Sequence, residues 1–205
     1  MRMDRIATAI EDAIDKKCFL PALALSLVIP DICAKYDYPD IYKKKAEYKG
    51  HKGQGAAYAK WYDECIAKAD IDPITGTGLI DGKSCWKLRC DFLHSGTVDL
   101  DNFMSDNDKH ITFKLTSSKC SDLIVTIGGC SSVRYSEDMK NQDIELDIVN
   151  FCGKILAVLK HSYLSNDSFM KATENEALKY VEYDKMRNRY DYQCDQTGHN
   201  TTNIS

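Results

Sequence analysis

Apolar residues recur at helical spacing through most of this chain. Ile6, Ile10, Ala13 and Ile14 form a stripe with acids opposite, which predicts an amphipathic helix over 4–17. The next segment is apolar nearly all round, so a central buried helix is expected over 21–36. Pro21 suits its first turn, and Pro30 should kink or restart it. Tyr58, Trp61, Tyr62, Cys65 and Ile66 predict a helix over 56–68, and 70–80 reads as a loop. Asp81 is placed to cap a helix with Cys85, Leu88 and Phe92 on one stripe, and Gly96 is placed to stop it. The longest helix is expected over 142–163, from Ile144, Ile148, Phe151, Cys152, Ile155 and Leu159. A more polar helix should follow over 169–190. Two β-like runs, 111–115 and 123–127, predict a hairpin through a turn at 117–121.

The expected fold is therefore mainly α, a helical bundle over 1–165 with a small inserted β-hairpin near 111–127. A polar C-terminal helix should occupy 166–190, and 191–205 has too few apolar groups to order itself. With 205 residues and 43% apolar composition, the chain can build one real core. No contiguous apolar run approaches the roughly 20 residues of a spanning helix, the longest being 22–30, so no membrane association is expected. The N-terminus carries Arg2, Asp4 and Arg5 and does not read as a secretory signal. Nine cysteines, an odd number without a Cys-x-x-Cys pair, read as thiols in a reducing, cytoplasmic setting. Sequons at Asn166, Asn200 and Asn203 carry no weight there.

Formal net charge is −4, so the chain is no bulk binder of nucleic acid, and any phosphate contact must come from a local patch. One such patch exists. Between 41 and 60 there are six lysines and one acid. Lys43, Lys44, Lys45, Lys49 and Lys52 lie in a Gly-containing stretch that leads into a helix N-terminus and could hold phosphate or RNA. Tyr42 and Tyr48 there could stack on bases. The stretch has no Walker spacing, which argues against nucleotide hydrolysis.

The best-motivated chemistry lies in Arg89-Cys90-Asp91-Phe92-Leu93-His94. Arg89 and His94 are about 140° apart on an ideal helix. They can converge on one anion if His94 sits in a fraying last turn before Gly96. A guanidinium and an imidazole suit metal-free cleavage of RNA: the imidazole moves a proton and the guanidinium holds the phosphate. Arg89 also interrupts an apolar stripe, where burial without a partner would be costly.

This Arg-x4-His stretch at the end of a bundle helix resembles the signature of the HEPN superfamily. The position after the arginine, usually polar in active members, is Cys90 here. The resemblance implies a helical bundle that dimerises so that two motifs share one cleft. It also implies metal-independent endoribonuclease activity, often in toxin–antitoxin or phage-defence settings, with an antitoxin or other partner protein. Only Arg89 and His94 carry over, and the alternative is a non-catalytic HEPN-like binding module. No cofactor is expected. No metal is expected either, because Cys85, Cys90 and His94 do not share a helix face and no fourth ligand has suitable spacing. His51, His110 and His161 are isolated, and the carboxylates at 137–147 read as a charged helix start. There is no nucleophile elbow and no dinucleotide fingerprint.

Overall fold

The computed structural model describes residues 3–44, 46–69, 71, 80–95, 103–104, 110–117, 132–135 and 141–175. Helix α1 (Met3–Asp15) buries Met3, Ile6, Ala7 and Ile10, the predicted stripe, against α2 (Phe19–Asp37). A Schellman turn separates them. The Cys18 N–H donates to the Ala13 carbonyl at 2.7 Å and the Lys17 N–H to that of Ile14 at 2.9 Å. Lys17 stands there at a φ of 58°, a position that glycine usually fills.

Helix α2 touches α1, α4, α5 and α6 and buries Leu23, Leu27, Ile29 and Cys33 completely, with Pro30 inside it. That many-sided packing explains why it is apolar nearly all round. The expectation that no segment is long and apolar enough to span needs correction here. By length and composition α2 is sufficient to cross a bilayer, because its flanks extend the apolar run of 22–30. The core helix of a bundle meets the same test.

The basic stretch carries regular structure of its own. It starts with a short helix, α3 (Pro39–Lys44), then folds into a tight hairpin of β1 (Glu47–Tyr48) and β2 (His51–Lys52). Lys49 and Gly50 make the turn at φ values of 47° and 82°, the sign that matches strand twist in a two-residue hairpin. Helix α4 (Gln54–Cys65) follows and buries Tyr58, Trp61 and Tyr62. A single 3₁₀ turn, Ala67–Ala69, ends that stretch.

Helix α5 (Gly82–Ser95) crosses α4 so closely that only glycine fits at the contact, since a Cβ on Gly82 would lie 2.0 Å from the Ala59 carbonyl oxygen. Asp81 caps it as expected, accepting from the Ser84 N–H at 2.7 Å. Asp63 of α4 accepts from the Gly82 N–H at 2.7 Å and from the Tyr48 hydroxyl at 2.9 Å. Gly96 lies outside the described residues.

The mainly α character is as read. The β component includes four strands, β3 (Phe103–Met104), β4 (His110–Thr116), β5 (Ser132–Tyr135) and β6 (Asn141–Asp147), in the order β3-β4-β6-β5. The run at 111–115 is in β4, whose described neighbours are β3, antiparallel, and β6, parallel. The run at 123–127 lies outside the described residues, as do 176–205 with the expected tail.

The helix expected from 142 begins later. Residues 141–147 are a strand, and α6 (Ile148–Val158) starts after it. Ile144 and Leu146 alternate with Asp143, Glu145 and Asp147, and both apolar side chains are buried, a period of two. Asp147 then caps α6, accepting from the Asn150 N–H at 2.8 Å. A π turn, Leu159–Tyr163, brings the Tyr163 hydroxyl to the Trp61 indole N–H, which donates to it at 2.6 Å. Tyr163 in turn donates to Asp37. The last described helix, α7 (Asp167–Asn175), buries Phe169 edge-on to Tyr36 of α2.

Candidate active site at the end of α5

With its start held by Asp63, Asp81 and the Gly82 contact, α5 turns Cys85 and Leu88 into the core. That rotation puts Arg89 at the border between core and solvent, against α2. Its guanidinium lies 5.0 Å from the Trp86 ring centroid. One terminal nitrogen, Nη2, stands 3.4 Å from Asp31 Oδ2 of α2, and the other, Nη1, stands 3.2 Å from His94 Nε2. The pair singled out by spacing is therefore brought together within one chain.

The route differs from expectation. Helix α5 is continuous to Ser95, so His94 does not sit in an unwound turn. The long arginine side chain closes the angular gap instead. A guanidinium can only donate, so the contact makes His94 Nε2 the acceptor and puts the imidazole proton on Nδ1. Once an anion draws the guanidinium off, the lone pair of Nε2 is open to take a proton from a hydroxyl bound beside it.

Asp31 positions the arginine. Gln54, at the start of α4, donates to both carboxylate oxygens at 2.9 and 2.7 Å. Burial raises the Asp31 carboxyl above its usual range, opposed by the Gln54 hydrogen bond and then by the charges of Arg89 and Lys35. Arg89 Nε is buried and finds no acceptor among the described residues. Gly55 makes room for the Trp86 indole, since a Cβ there would come within 2.8 Å of its nitrogen. Burial raises the Cys90 thiol, offset in part by the hydrogen bond and charge of Arg89.

The described lysines of the basic stretch have different settings. Lys44 pairs with Asp40 at 3.1 Å on exposed α3. Lys49, at the hairpin turn, reaches Asp63 at 2.9 Å, which also ties Tyr48 into the hairpin's own support. Lys52 is exposed on β2, and Lys45 lies outside the described residues. Lys43 has a different setting. With Lys35, Tyr36, Tyr42, Asp31 and Thr173 it lines a cleft of about 410 Å³ between α2, α3 and α7.

Sequence reasoning missed Asp31, Gln54, Lys35 and Trp86. Asp31 did leave a signal, a carboxylate directly after the long apolar run of α2. Among the described residues no cluster of three His, Cys, Asp or Glu side chains could hold a metal ion, and Cys18, Cys33, Cys65, Cys85, Cys90 and Cys152 are free thiols. No family model matches the chain, and no curated protein or solved structure matches it.

Proposed function

We propose that the chain is a metal-independent endoribonuclease of the HEPN type. In this reading Arg89 binds the scissile phosphate and His94 moves the proton. The observation that carries it is the 3.2 Å approach of Arg89 Nη1 to His94 Nε2. His94 takes the proton of the ribose 2′-hydroxyl, the freed oxygen attacks phosphorus, and the 5′-oxygen of the next nucleotide leaves and is protonated. The products are a 2′,3′-cyclic phosphate and a 5′-hydroxyl. Arg89 holds the non-bridging oxygens as charge gathers on them. A homodimer with two facing motifs would supply a second imidazole for the leaving oxygen.

The test is RNA cleavage in EDTA by the wild type, Arg89→Ala and His94→Ala. Cleavage by the wild type alone supports the proposal. No cleavage by the wild type, or equal cleavage by all three, removes it. In a cytoplasmic toxin setting, expression should slow growth, and His94→Ala should abolish that effect.

A second reading, a non-catalytic HEPN-like module that binds a partner protein, is favoured by one observation. Arg89 is already paired with Asp31. Asp31→Asn separates the two. Under the nuclease reading it loosens the guanidinium that Asp31 holds beside His94 and lowers kcat/KM. Under the module reading it creates no cleavage where the wild type has none.

A further inference from the structure

We infer that the cleft between α2, α3 and α7 is the subsite for one nucleotide of a single-stranded RNA, an inference that rests on the nuclease reading above. At about 410 Å³ it falls near the lower end of small-molecule pockets, room for one nucleotide and not for a duplex. Its walls carry the two chemistries that hold an unpaired nucleotide. Lys35 and Lys43 supply positive charge for a phosphate, and Tyr36 and Tyr42 supply aromatic faces or edges for a base. The Lys35 ammonium lies 5.9 Å from the Tyr42 ring centroid, so charge and ring stand side by side. Tyr36 is braced edge-on by buried Phe169, which keeps that wall rigid.

Asp31 joins this cleft to the Arg89–His94 pair, since it lines the first and binds the second. Its carboxylate has about four acceptor positions. Gln54 uses one on each oxygen and Arg89 a second on Oδ2. Because Asp31 lines the cleft, a ribose 2′-hydroxyl seated there can donate to its carboxylate. That group separates RNA from DNA. A strand seated with its base in the cleft therefore runs toward the guanidinium and imidazole.

The experiment uses the full-length His94→Ala protein, so that RNA is bound and not cut. A fluorescein-labelled eight-nucleotide RNA and its DNA counterpart are titrated by anisotropy. Lys43→Glu and Tyr42→Ala should each weaken RNA binding by about tenfold. Lys16→Glu, the same charge change at the exposed end of α1, should leave it within about twofold. RNA should bind more tightly than DNA. Lys43→Glu binding as well as Lys16→Glu overturns the subsite, and because Lys43 is exposed, misfolding cannot imitate that result. Equal affinity for DNA overturns the ribose contact of Asp31. Wild-type cleavage with KM unchanged in both cleft variants sinks the cleft alone. If the wild type neither cleaves nor binds RNA, the nuclease reading falls and takes the cleft with it.

Discussion

Gly82→Ala should be among the most damaging small substitutions in this protein. The added methyl would stand 2.0 Å from the Ala59 carbonyl oxygen, 2.6 Å from its carbon and 2.7 Å from the Ala59 Cα. A carbon normally keeps about 3.3 Å from such an oxygen, so α5 must retreat from α4 by about 1.3 Å. All three atoms are backbone, so no side chain can swing aside. Overpacking of this kind costs about 1–3 kcal/mol. The retreat also strains the 2.7 Å bond from the Gly82 N–H to the Asp63 carboxylate, worth about 1.5–3 kcal/mol. Against this, alanine gains at most about 1 kcal/mol of helix propensity. The net loss is roughly 2–5 kcal/mol, a large part of the roughly 5–15 kcal/mol that holds a domain together. Gly153→Ala is the matched control. Gly153 is exposed in α6, and a Cβ there meets nothing within 4 Å, so this variant should gain about 0.5–1 kcal/mol. Urea unfolding of both variants, followed by circular dichroism, measures the two signs. A loss below about 1 kcal/mol in Gly82→Ala would refute the close-crossing argument. Since Arg89 lies two turns further along α5, the proposed nuclease reading also expects any folded Gly82→Ala protein to lose RNA affinity.

Three further outcomes follow from local features. Lys17→Gly relieves a left-handed residue in the Schellman turn and should raise stability by about 0.5–1 kcal/mol, read as a higher thermal midpoint; a lower midpoint would contradict the strain. Burial, and then Lys83, lower the His51 imidazole below its usual 6.5, opposed by Asp81. The unfolded chain therefore binds the extra proton first, and the stability from neutral His51 is lost as pH falls below 6.5. The raised Asp31 carboxyl works in the opposite direction at lower pH, so the comparison is wild type against His51→Gln in urea at pH 7.5 and 5.5, with parallel loss in both counting against the idea. Burial lifts the Cys85 thiol to about 12 and that of Cys152 to about 11, whereas Cys18 is exposed. Iodoacetamide at pH 8 should label Cys18 in the native protein and reach Cys85 and Cys152 only after unfolding, as mass spectrometry can follow.

What could be read along the chain was what neighbours in sequence decide. The stripe of α1 and the Asp81 cap depend on residues within one or two turns, and both were legible. Strand β6 was hidden because Ile144 and Ile148 also fit a helical spacing. The overlooked clue was Asp147 immediately before the helically spaced apolar residues Ile148, Phe151, Cys152 and Ile155, the position of a helix cap. The settings of the individual lysines were illegible for a different reason. Composition does not say which lysine meets Asp40, which meets Asp63, and which faces a cleft built with α7, whose start lies more than 120 residues away. The Arg89–His94 spacing was legible, but its partner Asp31 is 58 residues distant and depended on how α2 and α5 cross.

That crossing decides how the site can work. Arg89 and Asp31 are only 3.4 Å apart at their closest atoms, longer than the roughly 2.7–2.9 Å of a strong charged hydrogen bond, and a single nitrogen makes the contact. A phosphate can accept from two guanidinium nitrogens in parallel, so it has the better geometry. Asp31 loses little when Arg89 turns away, because Gln54 still donates to both of its oxygens at 2.9 and 2.7 Å. A strong, bidentate Asp31–Arg89 pair would have locked the guanidinium. The pair present holds it in place beside His94; under the proposed nuclease, an incoming phosphate can draw it off, as a positioning carboxylate next to a phosphate-binding arginine has to allow.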